Sequence, residues 1–400
     1  MILSNHIFIG KNLSSCYPLC MTQTAPQNIS PFQERHLEQI LRDFPPSRKP
    51  LDLFLSHYFR AHKSLGSSDR RIIGNILYGM VRWKSLIDHF EPEDPVAFYQ
   101  NLNFEKILTD PSIPLHARLG LPEFLYDRFS SHFGFEKTVE LGKILNETAP
   151  TTIRVNLLKT TREKLVDLLN QKFPVSPCLT SSTAIRIHKR EPLFALPEFK
   201  EGLFEMQDEG SQIVANLVQA KPTDCVLDYC SGSGGKTLAF APSMEGKGQI
   251  YLTDIRTSAL LEARKRLRRA GIQNAQCLPQ GHNQLKKLIG KCDWVLIDVP
   301  CSGTGTLKRN PDQKWLITPD LVEKFTETQR EIAQEAIRYV KPGGNLVYVT
   351  CSLLPEENSC QIEHFLKTLP VSLSQEPLLL MPESQGMDGF FCAILKKHPF

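Results

Sequence analysis

The chain has 400 residues, of which 41% are hydrophobic and 22% charged, a globular composition that excludes a mainly disordered polypeptide. That length exceeds what one hydrophobic core usually holds and predicts two or three domains, while no run approaches the ~20 uncharged apolar residues of a membrane span. The net charge of +4 permits a nucleic-acid partner without demanding one.

Met1–Cys20 carries a single lysine and no small-residue cleavage pattern, so it is a poor signal peptide. Residues 1–30 read as a disordered tail, or else the natural start is Met21 and the first 20 residues precede it. From 31 to 150 the periodicity is helical. Leu51–Ala61 gathers Leu51, Leu53, Phe54, Leu55, Tyr58 and Phe59 around one face, and Ser67–Asp69 looks like a cap ahead of a helix over Arg70–Arg82. Pro95–Pro122 reads as a looser connection and Leu121–Phe133 as another helix. Residues 151–208 form a small α+β module, with strands at Thr152–Leu158, Ala184–His188 and Leu203–Gln207 around a helix at Thr161–Gln171.

From 209 to 400 strand and helix alternate. Strands are predicted at Cys225–Asp228, Gln249–Thr253, Ala275–Leu278, Asp293–Asp298 and Asn345–Thr350. The helices between them fall at Gly235–Ala241, Ser258–Ala270 and Leu321–Val340. This order predicts an α/β, Rossmann-like parallel sheet, with Gly389–Lys397 as an antiparallel edge strand.

The first strand of that sheet ends at Asp228 and runs into Tyr229-Cys230-Ser231-Gly232-Ser233-Gly234-Gly235-Lys236-Thr237. A glycine-rich turn between strand and helix lets a ligand approach the backbone. The spacing fits neither a phosphate loop, which would need glycine at 230, nor the dinucleotide pattern, which would need it at 237. Asp254, directly after the second strand, is placed to accept hydrogen bonds from both ribose hydroxyls. The site therefore suits a nucleoside whose phosphates are absent, as in S-adenosylmethionine.

Eleven cysteines occur without a Cys-x-x-Cys pair, so no metal site is expected and a reducing cytoplasm fits. Two of them, Cys301 and Cys351, follow the fourth and fifth strands, so a parallel sheet brings both thiols and the Asp298 carboxylate to one edge. A thiolate adding at carbon 6 of cytosine makes carbon 5 nucleophilic, and Asp298 is placed to contact the ring at N3. Spacing alone leaves open which thiol attacks.

The residues Asp228–Thr237, Asp298-Val-Pro-Cys301-Ser-Gly-Thr-Gly, Lys308-Arg-Asn-Pro-Asp312, Thr350-Cys351-Ser352, Glu357-Asn358 and Asp388-Gly-Phe-Phe391 resemble the signatures of the RNA 5-methylcytosine methyltransferases of the bacterial Sun/Fmu (RsmB) type. Upstream, Arg154-Val-Asn156 and Gln207-Asp208 are similar to further motifs. The resemblance implies an S-adenosylmethionine-dependent RNA cytosine-C5 methyltransferase, with 16S rRNA as the favoured substrate. It also implies Cys351 as nucleophile, Cys301 as the thiol assisting product release, and Asp298 as a ring contact. Cofactor binding falls to Asp228, Cys230, Ser231, Gly232, Ser233, Gly234, Gly235, Lys236, Asp254 and Asp298. The 151–208 module resembles the family's small RNA-binding piece, and residues 31–150 its NusB-like helical domain. Arg154, Lys308, Arg309, Lys314 and Trp315 are the candidate RNA contacts, with Arg70, Arg71, Arg82 and Lys84 as further ones. The adenine contact, over Gln280–Asn283, departs from the family pattern and is unassigned. No membrane and no obligate protein partner is expected, and a monomer is. The rival readings are the same chemistry on tRNA or another rRNA site, and a non-catalytic RNA-binding assembly factor.

Overall fold

The computed structural model describes residues 29–44 and 50–399. The two readings of the N-terminal 30 residues lie almost wholly outside them. The chain divides into two compact units. One runs over Ala149–Gly305 and Val322–Phe400; the other comprises the described residues up to Thr148 together with Thr306–Leu321.

The larger unit contains two sheets. The small one is antiparallel, in the order β2 (Val175–Pro177), β3 (Ala184–Ile187), β1 (Thr151–Val155), β4 (Phe204–Met206). Its core is Ile153, Val155, Ile185, Ile187 and Phe204 against Leu165 and Leu169 of the helix Arg162–Asn170. The large sheet runs β10 (Val371–Leu373), β12 (Phe390–Lys397), β9 (Val340–Thr350), β8 (Cys292–Asp298), β5 (Cys225–Asp228), β6 (Gln249–Leu252), β7 (Ala275–Cys277), with β11 (Leu378–Leu380) paired to β12. The strands β5 to β9 pair in parallel, and β12 is antiparallel to β9.

Alternation along each strand divides the apolar residues between two layers. Val226, Leu296, Val347, Val349 and Cys392 face the helices Glu209–Ala215, Gly235–Phe240 and Thr257–Ala270. Leu227, Val295, Ile297, Leu346, Tyr348 and Phe391 face Pro319–Ala336 and Ser359–Thr368. Both faces are covered, which is why these strands read as continuous apolar runs. The chain reverses direction across the sheet between β5 and β8, and ligands of open parallel sheets bind at such a switch point.

The second unit is helical: Pro31–Asp43, Leu51–Ala61, Ser67–Arg82, Lys84–Phe90, Pro95–Gln100, Phe104–Thr109, Leu115–Arg118, Glu123–Phe133 and Phe135–Leu145. Two expectations are corrected here. The cap before Arg70–Arg82 is Gly66, whose N–H donates to Asp69 Oδ2 at 3.0 Å, so Ser67–Asp69 form the first helical turn. The stretch Pro95–Pro122 holds three short helices; Asp94 and Asn103 cap the first two by accepting from Ala97 and Lys106 N–H.

A third correction concerns the proposed RNA contacts. Lys308 and Lys314 are fully buried within the helical unit. Lys314 Nζ donates to Asn146 Oδ1 (2.5 Å) and Gly120 O (3.1 Å), and burial holds its pKa well below the usual lysine value. Arg82 Nη2 donates to Lys308 O (2.8 Å), and burial lowers that guanidinium to about 10. Trp315 Nε1 donates to Val81 O (2.8 Å), and its ring joins the helical core beneath the Lys84 ammonium. Leu51 N–H, at a helix start, donates to Asp312 Oδ2. These residues fasten the 306–321 segment into the helical unit. Arg309, the fourth candidate there, is half-buried.

Candidate active site

The carboxyl ends of β5, β6, β8 and β9 lie side by side. Asp228 ends β5, in register with Leu252 and Leu296, and Asp298 ends β8, in register with Val349. The turn after β5 is bent by Gly232 (φ 53°) and Gly234 (φ 79°), conformations that a side chain would strain. A Cβ at Gly234 would also stand 3.2 Å from Leu252 Cδ2. The turn is closed by the Gly234 N–H donating to Ser231 O, and is tied to β6 by the Gly232 N–H donating to Asp254 Oδ2 (both 2.8 Å).

Two carboxylates behave differently because their surroundings differ. Asp228 accepts from Thr237 Oγ1 (2.6 Å), but full burial, helped by nearby Asp298, pushes it up to about 7. Burial opposes ionisation of Asp254 too. There the Arg256 guanidinium and the backbone N–H groups of Arg256 and Gly232 outweigh it, and the pKa is lowered. The Arg256 side chain is 68% exposed, so this pair is weak and open to exchange for another donor.

The cofactor turn is held from the small sheet. Arg154, an expected RNA contact, is buried; its Nη1 donates to Gly235 O (2.9 Å) and to Gln207 Oε1, and burial lowers it to about 9. That expectation is therefore corrected: no face of this guanidinium is available to RNA. Glu205 on β4 binds Arg266 Nε (3.1 Å) and Arg269 Nη2 (2.5 Å), and Arg266 Nη1 donates to Ser233 O (3.0 Å) and Ser233 Oγ (2.6 Å). Glu205, Arg266 and Arg269 were not legible as site-forming residues. Arg266 and Arg269 stand in the basic run of the Thr257–Ala270 helix, which ordinarily means a solvated face, and nothing local marks Glu205.

At the ends of β8 and β9, Cys301 Sγ and Cys351 Sγ are 3.4 Å apart, both free and half-buried. The contact with Cys351, and burial, raise the Cys301 pKa, so Cys301 holds its proton. Lys236 forms an ion pair with Asp298 and lies 5.6 Å over the Phe390 ring. Burial would lower its pKa, but the Asp298 charge, with Cys351 and Asp228 behind it, raises it. A buried ammonium thus stands in the field of the Cys351 sulfur. Cys230 sits in the opposite field: burial and three carboxylates push its thiol up. His282 caps the short helix Asn283–Lys286, accepting from Gln284 N–H at 3.2 Å.

Three buried oxygens in this region, Asp228 Oδ1, Ser231 Oγ and Thr253 Oγ1, have no hydrogen-bond partner among the described residues. Beside Gly235 a Cβ would meet nothing within 4 Å. Buried polar atoms left unpaired around an open turn suit a polar ligand.

Comparison with known proteins agrees with this architecture. Residues 215–396 match the family model described as 16S rRNA methyltransferase RsmB/F, and residues 121–193 match an RsmF/B-like ferredoxin-like domain. The chain is 32% identical over 313 residues to the probable ribosomal RNA small subunit methyltransferase B of Synechocystis sp., covering 73% of this chain and 70% of that one. It is 33% identical over 306 residues to the ribosomal RNA small subunit methyltransferase B of Proteus mirabilis, covering 74% and 69%. Among solved structures, a methyltransferase homolog from Pyrococcus horikoshii superposes with a TM-score of 0.62 at 29% identity, over 70% of this chain and 97% of that one. NSun6 from the same organism, solved with SFG, gives 0.62 at 21% identity, over 69% and 98%, and shares the fold.

Proposed function

The chain belongs to the RsmB/F family of 16S rRNA methyltransferases, and from that premise we propose that it methylates carbon 5 of a cytosine in 16S rRNA, with S-adenosylmethionine as donor and Cys351 as covalent nucleophile. The observation that carries this reading is the pair of thiols 3.4 Å apart at neighbouring strand ends, beside the Lys236–Asp298 ion pair.

S-adenosylmethionine supplies an electrophilic methyl group when bound. The residues suited to hold it are Asp254 for the ribose hydroxyls, and Asp228, Cys230, Ser231, Gly232, Ser233, Gly234, Gly235 and Lys236 around the turn. The unpaired Asp228 Oδ1 and Ser231 Oγ support that assignment. Cys351 adds as thiolate to carbon 6, forming the sulfur–carbon bond and moving the ring π electrons onto carbon 5. The Lys236–Asp298 pair offers a donor and an acceptor to the cytosine edge around N3, which draws charge from carbon 6. After transfer water takes the carbon 5 proton, the electrons of that C–H bond re-form the C5–C6 double bond, and the sulfur–carbon bond breaks with its pair leaving on the Cys351 sulfur. Cys301, which holds its proton, is placed to give it to the departing Cys351 sulfur.

The target base has to leave any stack to reach Cys351, and we read the chain as a monomer. Both thiols must stay reduced, which supports a cytoplasmic setting. We divide the chain at 150 and 208, where the helices give way to the small sheet and that sheet to the large one, with residues 306–321 inside the last part belonging to the helical unit. Among the described residues no helix is long and apolar enough to cross a membrane.

Thiol variants test the roles on denaturing gels with RNA and S-adenosylmethionine. Cys351→Ala is expected to abolish methyl transfer and adduct, and Cys301→Ala to accumulate a protein–RNA adduct that survives denaturation. An adduct with Cys351→Ala and none with Cys301→Ala inverts the assignment.

A further inference from the structure

No covalent bond joins the turns that carry Cys301 and Cys351, yet their sulfurs are 3.4 Å apart. What spans them is a buried polar assembly around Glu357 and Asn358, at the junction of a 3₁₀ turn (Pro355–Glu357) and the helix Ser359–Thr368.

Glu357 is fully buried. Its Oε1 accepts from Ser302 N–H (2.9 Å) and Gln329 Nε2 (3.1 Å), and its Oε2 from Ser302 Oγ (2.5 Å). Gln329 Nε2 also donates to Pro300 O (3.0 Å), so the residues on both sides of Cys301 are held. Asn358 does the same for Cys351. Its Oδ1 accepts from Thr350 Oγ1 (2.6 Å) and its Nδ2 donates to Ser352 O (2.9 Å). Ser302 Oγ and Ser352 Oγ, one from each turn, are 3.1 Å apart. Tyr348 OH, on β9, donates to Glu357 O (2.7 Å).

We propose that Glu357 and Asn358 are positioning residues that set the spacing of the two thiols, Glu357 gripping the Cys301 turn and Asn358 the Cys351 turn. The proposal rests on the reading that both thiols act on RNA. Because the two residues are consecutive, the turns cannot shift independently. A misplacement of about 1 Å at a reacting group costs ~10²-fold in rate. Burying a carboxylate is expensive where packing alone is needed, and here the cost falls beside the reacting sulfurs. Burial raises the Glu357 pKa, and its charge in turn contributes to keeping Cys301 protonated.

The test compares wild type with Glu357→Ala, the conservative Glu357→Gln, and Ser302→Ala, which deletes one hydroxyl and serves if Glu357→Ala does not fold. Four quantities are read: kcat and KM on RNA, the dissociation constant for S-adenosylmethionine, and the rate at which diamide joins Cys301 to Cys351. In that last reaction two thiols give one disulfide as diamide is reduced to the hydrazine, and the product is followed by peptide mass mapping. For Glu357→Ala the expected result is a fall in kcat of about 10²-fold, an unchanged dissociation constant, and slower disulfide formation. Glu357→Gln is expected to recover part of both rates, and Ser302→Ala to lose less of each. Wild-type disulfide formation in Glu357→Ala or, if that variant does not fold, in Ser302→Ala overturns the proposal. So does loss of cofactor affinity in step with kcat. If wild type itself methylates nothing, the functional reading fails, while the disulfide rates still report the spacing.

Discussion

Replacing Arg266 with Ala is expected to weaken S-adenosylmethionine binding without touching any atom of the cofactor. Arg266 Nη1 makes two hydrogen bonds to Ser233, at 3.0 and 2.6 Å, and hydrogen bonds from a charged donor contribute about 1.5–3 kcal/mol each. The turn does not collapse without them, because Gly232 stays on Asp254 and Gly234 on Ser231. Glu205 keeps Arg269, so no carboxylate is stranded. If water replaces one of the two bonds, the cofactor must restore an ordering of about 1.5–3 kcal/mol, which is roughly a 10- to 150-fold rise in dissociation constant. Titration calorimetry with S-adenosylmethionine on the RNA-free protein measures it. Arg268→Ala, an exposed neighbour on the same helix, is the control and should bind like wild type. A dissociation constant within twofold of wild type for Arg266→Ala, in a folded protein, would refute the reasoning.

Other expectations follow from the buried charges. Asp228 has its pKa raised to about 7 from 3.8. Between those values the folded state binds more protons than the unfolded one, so stability falls as pH rises from about 4 to 7. Asp228→Asn should remove that fall, on the order of 3 kcal/mol between pH 4.5 and 7.5, as read by urea denaturation at those two values. Lys314→Ala should lower the stability of the helical unit by about 2–5 kcal/mol, the range for truncating a buried long side chain, since it leaves Asn146 Oδ1 and Gly120 O without their donor. The same variant should leave the salt dependence of RNA binding unchanged, because no phosphate contact is lost. A reduced salt slope in filter-binding assays would return Lys314 to the RNA interface.

The strands β5, β6, β8 and β9 were legible because each is an apolar run ending at an acid or a cysteine. The parallel-sheet rule then placed Asp228, Asp254, Asp298, Cys301 and Cys351 at one edge. Val175–Pro177, Val371–Leu373 and Leu378–Leu380 were missed because three residues are too few to show a period, and the equally short Phe204–Met206 and Ala275–Cys277 were found only inside longer predicted strands. The helices within 95–118 were missed because elements of four to six residues barely complete a turn. Lys308 and Lys314 misled for a different reason. A lysine after a catalytic loop reads as exposed, and the carbonyls and amide that bury Lys314 come from positions near 120 and 146, which local sequence does not announce. Arg154 was misread in the same way. Glu357 and Asn358 stood in a recognisable motif, but their task depends on Ser302, Gln329 and Thr350 converging only in the fold.

The most direct test of the central claim is methyl transfer to ribosomal RNA. Ribosomal RNA from a strain lacking this protein is incubated with the purified chain and labelled S-adenosylmethionine, and 5-methylcytosine is mapped by bisulfite sequencing. The expected result is a new 5-methylcytosine in 16S rRNA with wild type and none with Cys351→Ala. No new 5-methylcytosine with wild type, or the same one with Cys351→Ala, would contradict the account.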